Sequence, residues 1–215
     1  MKKVSDSTVL RLSLYRRHLA EFQTQGRETV SSEDLASRAG TTAAQVRKDL
    51  SVFGTFGKRG LGYPVAELGD ALKAILGLHR PWRVAVVGTG RIGAALMGYR
   101  EFGSEGFQIE VGFDADPAKV GTHVHDVEVR SEVDLERELA ERGIDIVIVA
   151  VPAAAAQAVV DRAVEAGIGA LLNFAPVALE VPDGVALRNV NMAVELEGLS
   201  YALSEARRGR PGGAS

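Results

Sequence analysis

Apolar residues recur at helical spacing from about Ser7 to Gln25, at Val9, Leu12, Leu19 and Phe22, and predict a first helix that Gly26 can end. Ser31-Ser32-Glu33-Asp34 reads as the cap of a second helix, Glu33 to Ala39, closed by Gly40. Thr42, with Gln45 three residues on, reads as a capping box for a third helix, Ala43 to Phe53. Val46, Leu50 and Phe53 fall on one side of that helix and are expected to be buried. Two short helices joined by a tight glycine-containing turn form a helix-turn-helix pattern. Gly54 to Tyr63 then alternates glycines with cations and aromatics, as a β-hairpin wing with Lys58 and Arg59 at its tip would. Phe56 and Tyr63 are read as packing its sides rather than stacking on bases. Pro64 is read as the start of a link, with a helix from Val65 to Leu78 and a boundary near residue 80.

Beyond that boundary the periodicity changes. Val84 to Val87 is a short apolar run, hence a buried strand, followed by a glycine-rich turn and a helix from Arg91 to Tyr99. Gly103 to Gly106 is read as a turn into a second strand, Gln108 to Phe113, and Val127 to Val129 as a further short strand. Helix Val133 to Arg142, strand Asp145 to Val151, helix Pro152 to Ala166, and strands Ala170 to Asn173 and Val185 to Asn189 continue the alternation. The fold class is therefore α/β: an N-terminal winged helix-turn-helix domain, residues 1–80, and a Rossmann-like doubly wound parallel sheet, residues 81–190. Asn191 to Arg207 reads as one more helix, apolar over more than one face at Val194, Leu196, Leu199 and Leu203. Such a helix, placed at 191–208, wants a partner surface, and a second copy of the chain is the natural supplier. Residues 209–215 are read as a disordered tail.

Composition narrows the class. The hydrophobic fraction of 46% and charged fraction of 25% are those of a soluble globular protein, with no run long enough to span a bilayer. Zero cysteines exclude disulfides and thiolate metal sites, and a cytoplasmic location is expected. The net charge of -3 hides an asymmetry: residues 1–80 carry 13 Lys/Arg against 8 Asp/Glu, and residues 81–215 carry 12 against 20. A basic first third on an acidic remainder suggests a polyanion-binding head on a non-binding body. With the helix-turn-helix and the basic wing, the polyanion is read as double-stranded DNA.

Gly88, Gly90 and Gly93 stand at the G-x-G-x-x-G spacing of a dinucleotide-binding turn. Gly88 lets the chain leave the strand sharply, Gly90 leaves room for a pyrophosphate, and Gly93 lets the helix press on the sheet. Thr89, Arg91 and Ile92 complete the turn and offer N–H groups at a helix start. Asp114, at the end of the second strand, lies where such folds place an acid on the adenosine ribose, which favours NADH and NAD+ over their 2′-phosphorylated forms. The other reading of Asp114 is a turn-former in Asp-Ala-Asp-Pro. Val151-Pro152 and Phe174-Ala175-Pro176 arrive at the same edge, either to enclose a flat ring or simply to turn the chain.

On the third helix, Thr42, Gln45, Arg47, Lys48 and Ser51 can be left exposed for base edges and phosphates, and Lys58 and Arg59 project from the wing. A solvated polar face is the alternative for the helix taken alone. Catalysis finds no support in these residues: no Tyr has a Lys four positions later, and no acid–base pair falls beside the expected nicotinamide end. His123, His125 and Asp126 could bind a metal but read as a surface turn, and no metal site is expected.

These pieces together resemble the Rex family of redox-sensing transcriptional repressors along nearly the whole chain. The matching stretches are Gln45-Val-Arg-Lys-Asp-Leu-Ser51, Phe56-Gly-Lys-Arg-Gly-Leu-Gly-Tyr63, Gly88-Thr-Gly-Arg-Ile-Gly93, Phe113-Asp-Ala-Asp-Pro117 and Asn173-Phe-Ala-Pro176. The resemblance implies a homodimer on palindromic operator DNA that responds to the NADH/NAD+ ratio and lets go when NADH binds, with its C-terminal helix swapped between subunits. It also implies a switch formed by Arg17, Tyr99 and residue 191. At 191 the family's usual Asp is replaced here by Asn191, which hydrogen bonds without the charge. Two rival readings remain: an NAD-dependent oxidoreductase with an accessory helical domain, and a non-catalytic module for another nucleotide such as coenzyme A.

Overall fold

A computed structural model describes residues 4–58 and 60–208, so Arg59 and the expected disordered tail at 209–215 lie outside the described residues. The chain divides into two compact units, Met1–Arg80 and Pro81–Ser215.

The first unit runs α1 (Asp6–Thr24), β1 (Thr29–Val30), α2 (Ser32–Ala39), α3 (Ala43–Ser51), β2 (Tyr63–Pro64) and α4 (Val65–Ile75). Its core joins Leu12, Tyr15, Leu19 and Phe22 of α1 to Leu35, Val46, Leu50, Leu68 and Leu72. Two expectations change here. Val9 is 40% exposed, and Tyr15 takes its place in the buried stripe because its hydroxyl finds an internal acceptor. The helix after Pro64 is no link: Val65, Leu68 and Leu72 are buried in the same core, so α4 packs as a structural member of this unit.

Caps set the helix ends. Ser31 and Asp34 form a reciprocal capping box on α2, and Gly40 ends it in the left-handed conformation. Thr42 caps α3 by accepting from Gln45 N, but the Gln45 side chain does not return the bond; its amide reaches Asp49 instead. The wing turns at Lys58–Leu61 and its return strand β2 pairs antiparallel with β1. Gly62 sits at φ 82 with Val30 O directly where a Cβ would point, so only glycine lets the wing lie against β1. Phe56 and Tyr63 are half-buried against the core, as hairpin packing requires.

The second unit holds β3 (Trp82–Val87), α5 (Arg91–Met97), α6 (Glu101–Ser104), β4 (Phe107–Asp114), β5 (His123–Val124), β6 (Val127–Ser131), α7 (Leu135–Glu141), β7 (Ile146–Val149), α8 (Ala153–Glu165), β8 (Ala170–Asn173), β9 (Ala186–Asn189) and α9 (Met192–Arg208). The strand order is β5-β6-β4-β3-β7-β8-β9. Every pair is parallel except β5 with β6. Setting aside β5, this is the doubly wound dinucleotide-fold order, with its switch point between β3 and β7.

One face of the sheet packs Val87, Phe113, Val147 and Val149 against Leu135, Leu139, Val159 and Val160 of α7 and α8. Truncating one of these leucines to alanine costs about 2–5 kcal/mol. The other face packs Val86, Met97, Val129 and Ile148 under α5 and α6. Further along that face lies a cleft of about 360 Å3 lined by Phe102, Ile146, Ile148, Leu172, Ala186 and Arg188.

Local differences have local causes. Gly103 is inside α6, and the chain turns at Glu105 and Gly106 instead. His123 lies on β5 and His125, at φ 54, on the reversal into β6, which places both on a tight hairpin. The residues of α9 are exposed along its whole length, including Met192, Val194, Leu196, Leu199, Tyr201 and Leu203. Among the described residues no helix is long and apolar enough to cross a membrane.

Candidate nucleotide site and nucleic-acid interface

At the carboxyl edge of the sheet, the ends of β3, β4 and β7 surround a cavity of about 740 Å3. Its lining includes Gly88, Gly90, Arg91, Ile92, Asp114, Lys119, Val151 and Pro152. Gly88 takes φ 91, and a Cβ there would stand 2.6 Å from Ala150 O, so the backbones of the β3 and β7 turns touch only because the side chain is missing. At Gly93 a Cβ would overlap Gly88 O and stand 2.9 Å from Gly88 C: the helix is pressed onto the turn itself, with Val86 Cγ1 beyond at 3.4 Å. At Gly90 a Cβ would meet nothing within 4 Å. The space left beside Gly90 therefore opens into the cavity at the start of α5, where unpaired N–H groups favour an anion, as a pyrophosphate needs.

Asp114 combines both readings of its sequence context. Its Oδ1 accepts from Asp116 N (3.0 Å), the turn-forming bond, while the residue also lines the cavity. Its Oδ2 accepts from Thr89 N (2.9 Å), Thr89 Oγ1 (2.6 Å) and Lys119 Nζ (2.8 Å). Burial works to raise this carboxyl, but the bonds from Lys119, Thr89 and Asp116 outweigh it and hold it down to about 2. Thr89, buried to 6% exposure, thus serves Asp114. Arg91 and Ile92 are exposed at the cavity mouth.

Phe174, Ala175 and Pro176 stand apart from this lining. Phe174 packs with Val84, Val86 and Ile148, Ala175 is buried in the opposite core, and Pro176 is exposed. Asn173 fixes that turn: its Nδ2 donates to Ala175 O, Val177 O and Asn189 Oδ1, and its Oδ1 accepts from Ala175 N. Lys119 escaped the sequence reading because only the folded Asp-Ala-Asp-Pro turn brings it back over Asp114.

In the first unit, Arg47, Lys48 and Lys58 are exposed. Arg47 and Lys58 line a cleft of about 570 Å3 with Ser32, Glu33, Phe56 and Tyr63. Arg47 Nη1 donates to Ser32 Oγ (2.7 Å) and lies 3.4 Å from Glu33 Oε1. Thr42 and Ser51 hold the ends of α3, Ser51 Oγ donating to Lys48 O (2.8 Å). Gln45 is half-buried because its Nε2 donates to Asp49 Oδ1 (2.7 Å).

Asp49, unnoticed in the sequence, is the hub of α3. It also accepts from Arg11 Nε (2.6 Å), Arg11 Nη2 (2.8 Å) and the Tyr15 hydroxyl (3.0 Å). Burial pushes Asp49 up, yet the bonds from Arg11, Gln45 and Tyr15 leave it below the usual carboxylate range. Burial and the Asp49 bond push Tyr15 up to about 12.

The three residues expected to form a switch are placed as follows. Arg17 is exposed on α1. The Tyr99 hydroxyl donates to Glu101 Oε2 (2.6 Å) and its ring meets Phe102 edge-on at 5.0 Å. Asn191 Oδ1 accepts from Ala193 N (3.0 Å) and Val194 N (3.4 Å), making it the N-cap of α9.

The geometry so far defines a winged helix-turn-helix unit joined to a dinucleotide fold. Comparison with known proteins gives the family. Residues 3–51 match the family model "Putative DNA-binding protein N-terminus", and residues 79–177 match "CoA binding domain". The redox-sensing transcriptional repressor Rex of Desulforamulus reducens is 46% identical over 202 residues, 94% of this chain and 96% of that one. Among solved structures, RSP, a Rex-family repressor, aligns with TM-score 0.88 and 38% identity over 96% of this chain and 97% of its own. In complex with β-NAD+ and operator DNA it aligns with TM-score 0.91 and 39% identity, covering 96% and 95%. In complex with β-NADH the score is 0.86. The chain belongs to the Rex family of redox-sensing transcriptional repressors.

Proposed function

We infer that this protein represses transcription by binding palindromic operator DNA as a homodimer and releases it when NADH occupies the cavity at the β3/β7 junction. The observation that carries the reading is the space beside Gly90, which opens onto a cavity ending at Asp114 in a chain whose other unit exposes Arg47, Lys48 and Lys58. RSP, the relative with nearly the same fold, is described with β-NAD+ and operator DNA and with β-NADH.

On this reading Gly88, Gly90, Gly93 and the start of α5 hold the pyrophosphate, and Asp114 takes the adenosine ribose. Val151 and Pro152 border the nicotinamide end, where Ala150 and Ala155 complete an apolar lining that moves no proton. The protein is thus a sensor rather than a dehydrogenase, working in the cytoplasm beside its DNA. Arg47 and Lys48 of α3 and Lys58 of the wing face the operator, with Thr42 and Ser51 at the two ends of α3, while the Gln45 amide is held by Asp49. Exposed apolar residues on α9 and the apolar cleft on the sheet face both call for cover, which a second copy supplies.

Release requires that NADH bind the DNA-free arrangement better than the DNA-bound one; equal affinity would shift nothing. A hundredfold change in operator affinity corresponds to about 2.7 kcal/mol of coupling. The test is a gel shift on a pool of random duplexes, repeated with NADH, NAD+ and coenzyme A. Selection of a palindrome and its loss with NADH alone is the expected result. Retention equal under all conditions would refute the sensor, and release by coenzyme A alone would favour the nucleotide named by the second family model.

A further inference from the structure

The cavity ends on a carboxylate that is already engaged. Asp114 accepts four hydrogen bonds, from Thr89 N, Thr89 Oγ1, Lys119 Nζ and Asp116 N. A carboxylate offers about four lone-pair sites, and a ribose held through both hydroxyls uses two of them. Something must yield for a nucleotide to sit there. Two of the donors are backbone N–H groups, and Thr89 is only 6% exposed. Lys119 is a flexible stem whose side chain is 39% exposed, and it lines the same cavity.

We propose that Lys119 sets how sharply this pocket separates NADH from NADPH. Displaced from Asp114 by the adenosine diol, its ammonium stays tethered beside the ribose 2′ position. There it offsets the repulsion that Asp114 directs at a 2′-phosphate. Around it the lining is acidic: Asp116 and Glu132 face the same cavity, Glu132 being 3.3 Å from Arg162. Lys119 is the cation paired with Asp114 itself, whereas Arg162 pairs with Glu132 and Arg91 lines the helix-start side of the cavity. Removing Lys119 therefore weakens the positive field at the Asp114 end. The same side chain competes with ribose for Asp114, so it costs NADH affinity while it softens the exclusion of NADPH.

The inference rests on the cavity being the NADH site, and the test keeps the two apart. Full-length wild type, Lys119→Met and Lys119→Arg would be titrated with NADH and with NADPH, following cofactor fluorescence. Methionine keeps the stem and removes the charge. Lys119→Met is expected to bind NADH as tightly as wild type or several-fold tighter. It should bind NADPH about fivefold more weakly, since removing one charge near an exposed phosphate is worth roughly 1 kcal/mol. That gap should narrow as salt rises, and Lys119→Arg should keep the wild-type ratio. A Lys119→Met variant with an unchanged NADPH-to-NADH ratio overturns the proposal, as does one that loses NADH affinity, which would make Lys119 a direct ribose ligand. A wild type that fails to bind NADH overturns the site itself, a different result from a binding wild type whose variant does not discriminate.

Discussion

Replacing Asp49 with alanine removes the acceptor shared by Arg11, Tyr15 and Gln45. Tyr15 is fully buried, so its hydroxyl is left without a partner away from water, at about 1–3 kcal/mol. Arg11 keeps 22% of its side chain in solvent and loses less than a fully buried cation would. The combined loss comes to about 3 kcal/mol, at the lower end for a broken buried ion pair. For a unit spanning Met1–Arg80 this lowers the melting temperature by on the order of 15 °C. The effect should be confined to the helical unit. Far-UV circular dichroism would show an earlier transition, while fluorescence of Trp82, the single tryptophan, on β3, would keep its own midpoint. The pH dependence adds a second signature. Tyr15 is raised to about 12, so its contribution is full below the ordinary tyrosine value of 10.0 and is lost as pH rises toward 12. Asp49 is depressed, so its contribution is present above the unfolded carboxylate value and is lost as pH falls through the folded one. Both limbs should flatten in the variant. A dichroism transition within about 0.5 kcal/mol of wild type would refute the account of Asp49 as a buried hub.

Three further outcomes follow from the geometry. Gly90→Ala places a methyl in open space, so stability should stay within about 1 kcal/mol while NADH affinity falls at least tenfold; Gly93→Ala, whose methyl would overlap Gly88 O, should destabilise the second unit by about 1–3 kcal/mol. Calorimetric melting and fluorescence titration separate them, and a Gly90→Ala protein that binds NADH normally removes that residue from the pyrophosphate. Lys58→Ala should lower operator affinity and reduce the slope of log affinity against log salt by about 1, an unchanged slope excluding Lys58 from phosphate contact. Asn191→Ala should cost about 1 kcal/mol at the α9 N-terminus, read as faster hydrogen exchange in its first turn, whereas Asn191→Asp should preserve protection; equal exchange in all three proteins would remove the cap.

The glycine turn was legible in the sequence because each glycine there has a steric reason that spacing alone carries: two close approaches and one open space. The α2 cap was legible because its partners are three residues apart. What escaped were bonds formed across the fold. Asp49 reads as a solvated helix position until α1 arrives with Arg11 and Tyr15, 38 and 34 residues away. Gln45 looked free for a base edge, yet the same acid draws its amide inward. Helix α4 looked like a link because its apolar stripe names no partner in sequence, and the buried face of α1 supplies one. Two-residue strands such as β5 carry no periodicity to detect. At 191, where the resemblance implies an acid, Asn191 does locally what an acid would, since Asn and Asp cap helices about equally well.

The Asp49 hub also constrains how an effector could act. It clamps α3 to α1 through two bonds from Arg11 and one from Tyr15, and their shared core includes Leu12, Leu19, Val46 and Leu50. Turning α3 against α1 would break a buried charge pair at about 3–5 kcal/mol, more than the roughly 2.7 kcal/mol that a hundredfold change in operator affinity requires. Distorting the reading helix is therefore a more expensive route than leaving it intact. A dimer can instead change the spacing of two unaltered reading units, because half-sites on the duplex are separated by a fixed helical repeat. On that basis the release proposed above is expected to run through contacts between copies, for which α9 exposes apolar residues along its length.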